Sequence, residues 1–227
     1  MLVDFTVENF RSIKEPILLS AVAQKSRAAS AENSERRIKP DNEIAPPFAV
    51  EGWGFDLLPA LGIFGANASG KSNVLLALNG LLNYIIQGSQ IVPTYNIIPF
   101  MLDKNNQNVP TQFEIRIAVH GAIYTYSLHL NRERVIYESL YYSLATTKKE
   151  RRLYLRFWNE TTNEYDWENG SHFAGPHTQL ESSVGESDAF MNLLLKLEVP
   201  ILAPLRPWIL RRIVGIGYGY EQLSSPA

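Results

Sequence analysis

Residues 65–72, Gly-Ala-Asn-Ala-Ser-Gly-Lys-Ser, satisfy the spacing G-x-x-x-x-G-K-[ST]. Each fixed position has a physical task. Gly65 lets the chain leave a strand sharply, and Gly70 lets backbone approach phosphate oxygens where a side chain would clash. The successive N–H groups of Asn67, Ala68, Ser69, Gly70, Lys71 and Ser72 then form an anion-binding concavity. A helix that starts there adds the positive end of its dipole. Lys71 is the expected catalytic residue, its ammonium reaching β- and γ-phosphates, and the Ser72 hydroxyl is the expected Mg²⁺ ligand. The expected ligands are ATP and Mg²⁺, held by Gly65, Ala66, Asn67, Ala68, Ser69, Gly70, Lys71, Ser72 and Asn73.

Such a loop needs a strand before it and a helix after it. Residues 57–64, Leu-Leu-Pro-Ala-Leu-Gly-Ile-Phe, are an apolar run ending at the loop. Their latter part is expected to be a buried strand, with Pro59 at or before its first residue because proline cannot donate to a central ladder. After the loop, residues 71–87 are expected to be helical. Val74, Leu78, Leu81, Leu82 and Ile85 fall on one face of that helix. Gly88 would stop it, and Gly80 weakens it from within.

Further out, Val3, Phe5 and Val7 alternate with polar residues and predict a strand, and residues 17–23 predict a second that can pair with it. Residues 24–51 are polar, mixed in charge and interrupted by proline, and read as an exposed loop or a short surface helix between loops. From Thr111 onward the period is two again: Phe113, Ile115, Ile117, Val119, then Tyr124, Tyr126, Leu128, Leu130, then three further short runs. They predict an antiparallel meander. Residues 186–198 return to helical spacing. The expected class is α/β with α+β character: an N-terminal lobe carrying the loop over residues 1–110, an antiparallel β subdomain over 111–180, and a helical segment and tail over 181–227.

The 227 residues are 45% apolar, enough for a substantial core, and carry a formal net charge of -2, too small for the overall field to indicate nucleic acid or an anionic membrane. Cysteine is absent, which excludes disulfides and thiolate metal sites. No apolar stretch has the length of a membrane span, the amino terminus lacks a signal-peptide core, and a cytoplasmic protein without a membrane partner is expected.

The stretches "FTVENFRSIKEPILLS" and "GIFGANASGKSNVLLAL" together resemble ABC-type ATPase heads of the SMC, RecF and OLD group. There an N-terminal strand ending in Asn-Phe-Arg-Ser precedes a loop of the form G-x-N-x-x-G-K-S-N, matched by Asn67 and Asn73. The later order of strands is similar to prokaryotic proteins labelled AAA-family ATPases, many of them linked to phage defence. The resemblance implies a P-loop NTPase head with an antiparallel β subdomain, Arg11 and Ser12 near the nucleotide, a dimer, and DNA as a partner of the group. It also requires an acidic pair ending an apolar strand and a Ser-Gly-rich signature. No run of four apolar residues followed by Asp-Glu occurs after Gln87, and "ESSVGESD" and "QLSSPA" read as loop and tail. The expectation is therefore an incomplete, N-terminal portion of a head whose C-terminal half comes from elsewhere. A truncated or split non-catalytic nucleotide-binding subunit is the alternative, and a P-loop small-molecule kinase a weaker one.

Other candidates are plainer. His120, His129, His172 and His177 lack ligand spacing, and His120 and His129, which flank a predicted turn, read as surface or sheet residues. "SERR" and "KKERR" read as solvated turns, with phosphate contact to DNA or RNA as the functional alternative. The tyrosines between 124 and 154 read as sheet residues rather than base-stacking platforms. Glu138 and Glu160 have no evident partner in the sequence, and no catalytic acid pair is expected.

Overall fold

A computed structural model describes residues 1–24, 46–67, 69–89, 97–173 and 177–211. Its strands are β1 (Leu2–Glu8), β2 (Ile17–Ser20), β3 (Phe48–Ala49), β4 (Asp56–Leu57), β5 (Thr111–Val119), β6 (Ala122–Leu130), β7 (Val135–Leu144), β8 (Glu150–Asn159) and β9 (Glu164–Asn169). Seven of these make one sheet in the order β2-β1-β5-β6-β7-β8-β9, with every pairing antiparallel. β3 and β4 form a separate antiparallel ribbon. The helices are α1 (Lys71–Gln87), α2 (His177–Ser183), α3 (Phe190–Lys196) and α4 (Arg206–Arg211).

The alternation of β1 turns Val3, Phe5 and Val7 fully inward. Phe5 stands opposite Ile115, and Val7 opposite Phe113. The inward face continues through Tyr124, Tyr126, Leu128 and Leu130 of β6. Side chains of α1, α3 and α4 complete the core: Val74, Leu81 and Ile85, then Phe190, Met191, Leu194 and Leu195, then Ile209. Each fully buried Leu, Ile or Phe contributes about 1.5–3 kcal/mol through loss of apolar surface from water. The amino-terminal hairpin and the meander are parts of the same sheet, because β1 pairs with β5.

Helix α1 has the bounds expected from its sequence and ends at Gly88, whose positive φ of 80° is one that a residue with a side chain rarely adopts. The strand expected in the latter part of 57–64 is corrected. β4 stops at Leu57, the Leu58 N–H donates to the Ala21 carbonyl at 2.8 Å, and no strand follows before the loop. Pro59 lacks the N–H needed to extend that ladder, and no described strand lies beside residues 59–64 to pair with them. The apolar run is left largely uncovered, with Phe64 93% exposed. Of the expected loop 24–51, residues 25–45 lie outside the described residues, and 48–49 form β3.

The expectation for Glu138 is also corrected. It is fully buried and surrounded by donors. The Tyr126 and Tyr154 hydroxyls each donate to its Oε1 at 3.0 Å, and the N–H groups of Phe190 and Met191 donate at 2.8 and 2.9 Å. Arg156, equally buried, donates through Nε at 2.9 Å. Glu138 thereby ties the sheet to the first turn of α3. Its partners come from three elements, which is why sequence neighbours do not disclose them.

Candidate phosphate-binding site

The loop between residue 65 and the start of α1 is open to solvent, with Gly65, Ala66, Asn67, Ser69 and Ser72 exposed; Ala68 lies outside the described residues. Gly70 immediately precedes α1 with φ 91° and ψ 0°, a conformation that disfavours any side chain. The Asn73 and Val74 N–H groups point back to the Gly70 carbonyl at 2.9 and 3.3 Å.

Lys71 folds over the loop. Its Nζ donates to the Gly65 and Ala66 carbonyls at 2.8 and 2.6 Å and lies 3.5 Å from Ser69 Oγ. No described carboxylate pairs with it. An ammonium held by neutral carbonyls inside a glycine-bounded loop keeps its charge uncompensated, which suits an anionic phosphate chain. The exposed Ser72 hydroxyl beside it is a hard oxygen ligand of the type Mg²⁺ prefers.

Distant sequence reaches this loop. Phe10 and Ile13 bond each other's backbone at 2.8 Å in both directions, making a tight turn with Arg11 and Ser12 at its tip. Ser12 Oγ accepts from Asn73 Nδ2 at 2.6 Å, and a Cβ placed on Gly70 would stand 3.4 Å from that same oxygen. Asn9 holds the turn in place. It is fully buried, takes φ 51°, donates from Nδ2 to the Val109 carbonyl at 2.7 Å, and accepts from the Phe100 N–H at 2.9 Å. Its carbonyl accepts from Thr111 Oγ1 at 2.8 Å. Arg11 also has positive φ, and its N–H donates to the Ile98 carbonyl at 2.7 Å. The Arg11 Nε is buried without a hydrogen-bond partner, and its guanidinium lies 5.7 Å from the Phe10 ring centroid.

The remaining candidates lie in other places. His120 sits in the β5–β6 turn with φ 48°, and His172 contacts Arg151 at 3.2 Å. His129 packs against Tyr137 with tilted rings whose centroids are 4.9 Å apart, and burial lowers its pKa to about 4. "KKERR" occupies the β7–β8 turn and the start of β8, "SERR" and "QLSSPA" lie outside the described residues, and the side chain of His177 is likewise not described. "ESSVGESD" spans the end of α2 and the connection to α3. Glu160 is exposed in the turn after β8. Tyr124, Tyr126 and Tyr154 face the core. Among the described residues no group of three or more His, Asp or Glu side chains is arranged to hold a metal ion, and no helix is long and apolar enough to cross a membrane.

A loop with this spacing, opening an amphipathic helix, has the pattern of the P-loop class. Residues 61–190 match the family described as "AAA domain, putative AbiEii toxin, Type IV TA system". That match covers more than half of the 227 residues, and the chain belongs to this family of AAA domains. Its function is accordingly that of an ATP-binding, P-loop ATPase-like domain, and AAA P-loop ATPases bind ATP with Mg²⁺. The fold is mixed α/β with a mostly antiparallel sheet. No curated protein matches the chain.

Proposed function

We propose that this chain is the ATP-binding, N-terminal part of an ABC-type head of the SMC/RecF/OLD group. The observation that carries the reading is the contact between Ser12 and Asn73, 61 positions apart, which sets the Asn-Phe-Arg-Ser turn against the loop. In this reading Gly65, Ala66, Asn67, Ala68, Ser69, Gly70, Lys71, Ser72 and Asn73 hold the triphosphate, and Arg11 adds a cation from the neighbouring turn. Ser72 would hold Mg²⁺, which supplies charge neutralisation of the phosphates. Lys71 stabilises charge on the transferring group. Residues 1–110 serve as the ATPase lobe, 111–180 as the β subdomain, and 181–227 as the lead into the second half.

The acidic pair and signature come from further polypeptide, and ATP closes the head against a second copy or a complementary half. The uncovered run before the loop, with Phe64 at its end, supports such a completion, since apolar surface of this kind is normally covered. A role in phage defence or DNA transactions, in the cytoplasm, follows from the group it resembles, while the family's description names a putative toxin of a type IV TA system. Lys148 and Lys149 in the β7–β8 turn, with Arg151 at the start of β8, offer a DNA phosphate contact. The same exposed run also supports the second reading, a split subunit that binds nucleotide without turnover.

The test is Mg–ATP turnover and binding by the purified chain beside Lys71→Ala. The reading expects ATP binding that Lys71→Ala removes, with no turnover by the chain alone. Turnover abolished by Lys71→Ala would show a complete ATPase and overturn the half-head reading. Binding untouched by Lys71→Ala would overturn the site itself.

A further inference from the structure

We propose that the outward face of the sheet over β7, β8 and β9 is a docking surface for a cationic amphipathic helix of a partner protein. Successive residues of a strand point to opposite faces, so the inward residues fix the outward ones. Glu138 and Arg156 are buried on the inward side, where Glu138 meets the first turn of α3. Tyr137, Ser139 and Tyr141 of β7 and Leu155 and Phe157 of β8 therefore face outward. Tyr165 and Trp167 lie inward against Arg156, which turns Glu164, Asp166 and Glu168 of β9 outward.

All four described helices contribute to the core on the inward face, through Val74, Leu180, Phe190 and Ile209. On the outward side, β4 and its surroundings cover Val3 and Ala118, at one end of β1 and β5. Tyr137, Tyr141, Leu155 and Phe157 belong to neither cluster and are partly exposed. The bare face of an antiparallel sheet is normally polar, and adjoining apolar residues on a surface mark a contact site. Register brings these residues together: Tyr137 stands opposite Phe157, and Ser139, between the two tyrosines, stands opposite Leu155. Ser139 is 1% exposed and its Oγ has no hydrogen-bond partner among the described residues, so the strip around it excludes water.

Charge selects the occupant. Arg152 is matched by Glu168, and Arg116 by Asp4. Asp166 accepts from Asn159, and Glu114 of β5 accepts from Ser127, but no described cation pairs with either of them or with Glu164. An apolar strip with acids on both flanks repels nucleic-acid phosphates. It attracts a helix that carries Lys or Arg beside its apolar stripe. Strands stand about 4.8 Å apart and a helix is about 10 Å wide, so one helix covers β7 and β8. Its cations then reach β9 on one side and, past Ser127, β5 on the other. The surface is independent of the phosphate loop, since α1, which begins there, lies on the inward face.

The experiment measures binding of labelled synthetic peptides to the full chain by fluorescence anisotropy. A peptide of about 14 residues with Leu at helical spacing and Lys elsewhere is compared with its Leu/Glu counterpart and with a scrambled Leu/Lys sequence. The striped Leu/Lys peptide should bind at least tenfold more tightly than either, and more weakly as salt rises, because exposed charges are screened. Phe157→Thr, and separately Glu164→Lys combined with Asp166→Lys, should each weaken it about tenfold. Thermal melting accompanies each variant, and the exposed charge reversal decides the matter even where Phe157→Thr lowers the melting temperature. Equal binding of the Leu/Glu and Leu/Lys peptides, or Leu/Lys binding unchanged by the charge reversal, would overturn the inference. Dimerisation of the wild-type chain that Phe157→Thr abolishes, seen by sedimentation, would assign the face to a second copy and overturn it as well.

Discussion

Glu138 and Arg156 face each other across β7 and β8 with no exposed surface on either side chain, and Arg156 Nε lies 2.9 Å from Glu138 Oε2. Arg156 also donates to the Asp188 carbonyl and lies over the rings of Tyr165 and Trp167, at 4.9 and 5.5 Å from their centroids. The pair thus joins the meander to the segment that enters α3, and Asn192 of α3 donates to the Ile85 and Ile86 carbonyls at 2.9 and 2.8 Å near the end of α1. The helix that starts at the phosphate loop is connected at its far end to the buried pair.

Replacing Glu138 by Gln should lower folding stability by about 3–5 kcal/mol, because it leaves a buried guanidinium unpaired. Combining it with Arg156→Met should restore part of the loss, since the unpaired charge is then gone. Urea denaturation of the three variants measures both effects. A loss below about 1 kcal/mol for Glu138→Gln would contradict the arrangement.

His129 makes stability depend on pH below neutrality. Burial beside Tyr137 lowers its pKa to about 4, below the usual 6.5 that it regains on unfolding. The unfolded chain therefore takes up this proton first as pH falls. The contribution is fully present above pH 6.5 and is lost progressively as pH falls toward 4. With allowance for its partial exposure, the loss at pH 5 is about 1–2 kcal/mol. Denaturation at pH 7.5 and 5 should show it, and His129→Phe should flatten that part of the profile.

The periodic parts of this molecule were legible in its sequence, and the rest was not, for physical reasons. Alternation over β1, β5 and β6 and the spacing of Val74, Leu81 and Ile85 are local, and each set faces one core. Residues 57–64 have the composition of a buried strand, yet a ladder requires a neighbour, and composition does not supply one. Glu138 looks isolated because its partners come from three elements, Tyr126 from β6, Tyr154 and Arg156 from β8, and Phe190 from α3. The loop could be read directly, whereas the approach of Ser12 to it followed only from family resemblance.

Gly80 offers a stabilising change. It sits inside α1, and among the described residues a Cβ there would meet no heavy atom outside the neighbouring helix backbone within 4 Å. Gly80→Ala should therefore raise stability by about 0.5–1 kcal/mol through lower entropy of the unfolded chain. A rise of a few degrees in melting temperature checks it, and a fall would mean the space is not free.

Gly70→Ala should separate ligand binding from folding. The substitution forces an alanine to φ 91° and places its methyl 3.4 Å from Ser12 Oγ. A left-handed backbone costs a non-glycine residue about 1–2 kcal/mol, so the loop should relax toward another conformation instead of unfolding the core, which lies beneath it in β1, β5 and α1. Mg–ATP affinity should fall at least tenfold while the denaturation midpoint changes little. Wild-type affinity in Gly70→Ala would mean that phosphate does not approach the backbone at this position.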